Sequence, residues 1–150
     1  MDITFVNKIP FIVSIIKGLK VTTIEYLSNK SEISLVKSIN KIVSYYKSHS
    51  FHVRTMFVDT EVQFLEEKLF SAALNTTGAR YHVPEVEIQI QVIKERMQAH
   101  HSKLPFPNFT MRMTLELAKH VVMFLNDFPP KSGLLTTYIP RTIVTGKSLD

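Results

Sequence analysis

Residues 51–59, Phe-His-Val-Arg-Thr-Met-Phe-Val-Asp, form a short aromatic and β-branched run that stops abruptly on an acid. A run of that length and composition reads as a buried strand, with Asp59 at its carboxyl end, where α/β sheets place their chemistry. The same acid, followed by Thr60 and Glu61, is also an ordinary helix cap. Two more acids sharpen the choice. Asp2 opens an earlier strand, and Glu87 lies in the first turns of a helix that starts at Pro84. Carboxylates on two strands and one helix are the donor set of a two-metal phosphoryl-transfer site. Hard divalent cations take oxygen ligands, and a pair held about 3.5–4 Å apart clamps the attacking and leaving oxygens.

The remaining pattern sets these acids in an α/β layer order. Ile3 to Val6 and Pro10 to Ile16 are apolar runs joined by Asn7-Lys8, as in a tight hairpin, and Val21 to Leu27 reads as a third strand. Ser31 then caps a helix whose stripe is Leu35, Val36, Ile39, Ile42, Val43 and Tyr46. After the Asp59 strand come a short helix over Val62 to Phe70 and a strand near Leu74 to Thr77. Pro84 starts the next helix, with Val86, Ile90, Ile93 and Met97 as its stripe. A final helix runs from Thr110 to Asn126. It is apolar on most sides and so is expected to pack between other elements. Ile39, Val43, Tyr46, Ile90, Ile93, Val121 and Phe124 are the predicted core. The expected organisation is a catalytic-type domain over 1–126 and an irregular extension over 127–150, where Pro129-Pro130, Gly133, Pro140 and Gly146 break the pattern.

Composition narrows the function classes. The absence of cysteine removes disulfides, thiolate catalysis and Cys-containing zinc sites. The histidines, His52, His82, His100, His101 and His120 among them, show no zinc-ligand spacing. No stretch approaches the roughly 20 apolar residues of a membrane span, and Phe11 to Ile16 is too short for a signal peptide. The net charge of +5 leans toward an anionic partner, nucleic acid before membrane.

With acids at Asp2, Asp59 and Glu87 in that element order, the chain resembles the catalytic core of copia-type retrotransposon integrases. The resemblance rests on Asp2-Ile-Thr-Phe, on Phe57-Val-Asp-Thr-Glu-Val-Gln-Phe64 and on the Pro84-Glu-Val-Glu87 helix start ending at Lys94-Glu95. It extends to Leu104-Pro-Phe106, Phe124-Leu-Asn-Asp-Phe-Pro129 and Tyr138-Ile-Pro-Arg141. It implies a ribonuclease-H-like fold with a mixed central sheet: a three-stranded antiparallel meander plus parallel strands, flanked by helices. It also implies DNA integration by 3′-end processing and strand transfer. Asp2, Asp59 and Glu87 would serve as catalytic and metal-binding residues for Mg²⁺ or Mn²⁺, and Gln91, Lys94 and Arg96 as the DNA-binding face. Retroelement ends and target DNA are the implied partners, with homo-oligomerisation possible, no membrane, and the nucleus as the place of action. Glu85 and Glu95 are rivals for the third acid. The family's usual spacing from Asp59 lands on Glu95, whereas the helix-start register favours Glu87, and Glu85 would point away from it.

Departures from the pattern point to a truncated or degenerate copy. Asp2 stands one residue from the terminus, and Ile88 occupies the position where the resemblance expects arginine. A Pro-Gln-x-Asn-Gly loop is not visible, and the upstream His/Cys module and the carboxyl-terminal DNA-binding region are missing. Two other readings stay open at this stage. One is a non-catalytic nucleic-acid-binding domain of the same fold; the other is a purely structural or interaction domain.

Overall fold

The computed structural model describes residues 1–58, 73–76, 84–130 and 137–147. β1 (Asp2–Val6), β2 (Ile9–Ile15) and β3 (Thr22–Tyr26) form an antiparallel meander with β2 in the centre. Asn7 and Lys8 join β1 to β2 with φ of 49° and 63°. Two consecutive left-handed residues match the twist of the flanking strands, so the two-residue connection fixes the register, Asp2 opposite Val13. β2 is covered on both faces, and its residues divide between two cores. Ile12 joins the cluster under helix α1, while Phe11 and Val13 join the cluster under α2 and α3.

Helix α1 (Glu32–Ser48) starts where expected, with the Ser31 side chain accepting from the Ser34 amide. Its buried residues Leu35, Ile39, Ile42 and Tyr46 meet Val21, Leu27, Met56 and Val58. Val43 falls on the edge of that stripe and is half-buried rather than buried. β4 is shorter than the sequence suggests, Thr55–Val58, and pairs in parallel with β5 (Ala73–Thr76). Residues 51–54 are not strand. Phe51 donates its amide to the Tyr46 carbonyl, and Phe51 and Val53 fold back against the α1 cluster. The helix expected over Val62 to Phe70, and Asp59 itself, lie outside the described residues.

Helix α2 (Pro84–His101) buries Val86, Ile90, Ile93 and Met97, the predicted stripe. Helix α3 (Met111–Asn126), capped by Thr110, departs from expectation. It is not sandwiched but has one buried face of Thr114, Ala118, Val121 and Val122. Its apolar remainder is open: Phe124 is 45% exposed and Met123 46%. Only one side of α3 meets the sheet and α2, and Phe124 instead touches His120 and Phe128, with ring centroids 6.3 and 4.8 Å apart. The expected irregular tail also contains a helix, α4 (Pro140–Thr145). Gly146 ends it at φ 68°, and it delivers Val144 into the α1 core. No helix among the described residues is long and apolar enough to cross a membrane.

The end of α3 explains two of the sequence motifs. Asn126 brackets the backbone of Thr22, accepting from its N–H at 2.9 Å and donating to its C=O at 2.7 Å. Thr22 is buried at the head of β3, where both groups would otherwise lack water. Asp127 pairs with Arg141 at 3.3 Å, so the Leu-Asn-Asp and Ile-Pro-Arg elements are tied to each other.

Candidate functional site

The site is built where three elements approach one end of the sheet. At the start of β1 the Met1 amino group donates to the Phe57 carbonyl at 2.9 Å, which sets Asp2 beside β4. Burial pulls this ammonium below its ordinary value of 8.0, with the Asp2 carboxylate partly offsetting the effect. Asp2 is itself half-buried and paired across to Val13, and its Oδ1 accepts from the Ile3 amide at 2.7 Å. Val58, the last residue of β4, immediately precedes Asp59 in the chain. The third element is the amino end of α2. A cavity of about 640 Å³ is lined by Met1, by β4 residues Thr55 to Phe57 and by Pro84 and Glu85. Met1, just ahead of β1, the body of β4 and the start of α2 therefore share one cavity wall, which Asp2 and Glu87 do not line.

On α2 the three candidate acids have different surroundings. Glu85 lines the cavity and is held by Lys20 at 3.2 Å. Lys20 sits in the turn before β3 with φ 58°. Glu87, two residues on, is exposed on another side of the helix. Glu95 is exposed two turns further along and accepts from Gln91 Nε2 at 3.0 Å. Ile88, beside Glu87, is 62% exposed, an apolar side chain left in water. Lys94 and Arg96 are exposed on the same helix.

Among the described residues no group of three or more His, Cys, Asp or Glu gathers in a metal-holding arrangement, and Asp59 is not one of those residues. The three acids expected from the sequence, Asp2, Asp59 and Glu87, are all carboxylates, which suit hard divalent cations such as Mg²⁺ or Mn²⁺. Among the described histidines, His100, His101 and His120 are engaged in packing. His100 meets His120 edge-on at 6.1 Å, and His101 meets Phe109 at 4.5 Å and contacts the Pro107 carbonyl through Nε2 at 3.0 Å.

Sequence reasoning missed one polar feature. Tyr46 Oη is buried with no hydrogen-bond partner among the described residues. The hydroxyls of Ser14 and Thr23 lie near enough to favour its ionised form, but they are bonded to each other at 2.6 Å. Burial dominates and pushes the phenol above its ordinary 10.0. Its place in a clean 3.6-residue stripe marked Tyr46 as core, and nothing in the stripe signalled an unmet hydroxyl.

No family model matches the sequence, and no curated protein matches it. A solved structure does: the catalytic core domain of BIV integrase superposes with a TM-score of 0.65 over 97% of this chain and 91% of that chain. The two are 17% identical, so the likeness speaks to architecture. The chain has the α/β fold of an integrase catalytic core.

Proposed function

We propose that this chain is an integrase-type catalytic domain of a copia-type element, acting on DNA by metal-dependent phosphoryl transfer through Asp2, Asp59 and Glu87. The observation that supports the reading is the integrase-core fold, in a chain whose Met1, β4 residues Thr55 to Phe57 and first α2 residues line one cavity. Asp2 and Asp59 would hold one cation and Glu87 would complete a second. Bound Mg²⁺ or Mn²⁺ would lower the pKa of the attacking water and neutralise charge on the phosphoryl oxygens. The protein's share is placement. The Ile3 amide orients the Asp2 carboxylate, and the Met1–Phe57 bond holds β1 against β4. Glu87 is taken as the third acid on the helix-start register, which favours it over Glu85 and Glu95. Exposed Gln91, Lys94 and Arg96 on α2 would take the DNA backbone, which makes binding strongly salt-dependent.

Exposed Ile88 favours a second reading, a domain that retains DNA binding after losing activity. An arginine there would contact phosphate; isoleucine contributes nothing to an anion. Nicking of labelled duplex DNA in Mg²⁺ and in Mn²⁺ separates the two. The catalytic reading expects weak cleavage that Asp59→Asn abolishes and Ile88→Arg raises. Salt-sensitive binding with no cleavage by either the native chain or Ile88→Arg supports the second reading.

A further inference from the structure

Helix α2 has a second recess at its other end. There Lys94, Gln98 and His101 face the β1–β2 hairpin tip at Asn7 and the loop residues Asn108 and Phe109, around a groove of about 510 Å³. Among the described residues, the groove's wall holds a lysine and no acid. Phe109 is steadied on two sides. Its ring meets His101 at 4.5 Å and Phe106 at 6.0 Å, while His101 Nε2 contacts the Pro107 carbonyl of the same loop. Asn7 is steadied as well, with its Nδ2 donating to Thr114 on α3 at 3.4 Å. A fixed aromatic ring, amide side chains that both donate and accept, and a cation on a wall with no acid among the described residues make a recognisable set. They match a flat heteroaromatic base carrying a phosphate. The volume lies within the range of pockets that hold molecules of that size.

We infer that this groove is a subsite for an unpaired nucleotide of single-stranded DNA, with the base stacked on Phe109 and its phosphate at Lys94. The inference rests on the DNA-handling reading above, but it needs no metal and none of the three carboxylates. Duplex DNA keeps its bases stacked on each other and has no base to offer here. The groove therefore selects frayed ends or single strands.

The test uses the full chain in chelator at low salt. An oligodeoxynucleotide carrying one 2-aminopurine is titrated, single-stranded and then annealed, and read by anisotropy and by base fluorescence. The chain has no tryptophan to obscure the signal. The single strand should bind more tightly than the duplex, with the fluorescence change that stacking produces. Phe109→Leu should weaken single-strand binding about tenfold and abolish the fluorescence change, as loss of one stacking platform does. Lys94→Gln should weaken it and reduce its salt dependence, whereas Lys37→Gln, on exposed α1 surface, should change little. Equal affinity for single strand and duplex, or unchanged base fluorescence in Phe109→Leu, overturns the subsite while leaving DNA handling intact. If neither DNA form binds, both readings fall. Metal-dependent nicking that survives Phe109→Leu shows that the carboxylate site stands apart.

Discussion

The two faces of the central meander are covered in different ways, and the difference shows where this fold is closed and where it is open. The face beneath α2 and α3 is covered by two helices that contribute small or branched residues, Val86, Ile93, Ala118 and Val121, each almost fully buried. Among the described residues, the opposite face is covered by α1, with Met56 and Val58 from β4 and Val144 from α4 joining the same cluster. Its edge opens into the 640 Å³ cavity, and Tyr46 leaves a hydroxyl unmatched there. Close packing gives one face its rigidity. The opening on the other face is lined by Met1 and Glu85, one and two residues from the proposed Asp2 and Glu87 in sequence.

If that contrast is right, truncations in the two cores should both be costly, and more so on the face beneath α2 and α3. Ile93→Ala and Ile39→Ala should each destabilise by about 2–5 kcal/mol, with Ile93 toward the upper part because closed surroundings cannot collapse into the void. Urea midpoints measure this. A clearly larger loss for Ile39→Ala would mean that the α1 face is the better packed of the two.

The next effect sits at the junction of the faces. Asn126→Ala removes both partners of the buried Thr22 backbone and should cost about 1–3 kcal/mol. Asn126→Asp keeps the acceptor for the N–H but sets an anion against the carbonyl, so it should not rescue stability. Thermal unfolding of the pair reads the result, and full rescue by aspartate would show that the carbonyl contact is immaterial.

The α1 face also predicts a pH profile. The Met1 ammonium is depressed below 8.0, so at acidic pH both states hold the proton and folding carries the whole desolvation penalty. As pH climbs from the folded value to 8.0 the unfolded chain still holds the proton that the folded chain has shed, and stability rises. Above 10.0 the unfolded chain ionises Tyr46 before the folded one does, and stability falls. Tyr46→Phe should flatten the alkaline fall. It should change stability near neutrality by no more than about 1 kcal/mol, because the lost hydroxyl has no hydrogen-bond partner among the described residues. A large loss in Tyr46→Phe would reveal a partner for that hydroxyl.

Smallest of all is the exposed Lys41–Glu25 pair at 2.6 Å, where α1 crosses β3. Lys41→Ala should cost about 0–1 kcal/mol and less in salt, since both groups keep access to water. A larger, salt-independent effect would mean that α1 depends on this pair for its docking.

Much of this architecture was legible in the sequence because it depends on local periodicity. The α2 stripe from Val86 to Met97, the Asn7-Lys8 hairpin and the Ser31 cap are each written within a few residues. Phe124 was misread for a physical reason: α3 has apolar residues on two sides, and periodicity cannot say which side meets the sheet. Among the described residues, the rings that Phe124 meets on the open side are His120 and Phe128. The Asn126–Thr22 bracket and the Asp127–Arg141 pair were visible as motifs but not as contacts, since each joins positions brought together by the finished fold. At the proposed site the helix register separated Glu85 from Glu87. The commitment of Glu85 to Lys20 needed the turn before β3 to be in place.

The central claim is that Asp2, Asp59 and Glu87 hold divalent cations as one set. Mn²⁺ titration followed by electron paramagnetic resonance tests it most directly, on the native chain and on Asp2→Asn, Asp59→Asn, Glu87→Gln, Glu85→Gln and Glu95→Gln. The account predicts Mn²⁺ binding that each of the first three substitutions weakens at least about tenfold, because each removes an anionic oxygen ligand. Glu85→Gln and Glu95→Gln should bind as the native chain does. Binding lost in Glu85→Gln or Glu95→Gln but kept in Glu87→Gln would contradict the assignment of the third acid, and binding indifferent to Asp2 and Asp59 would contradict the site as a whole.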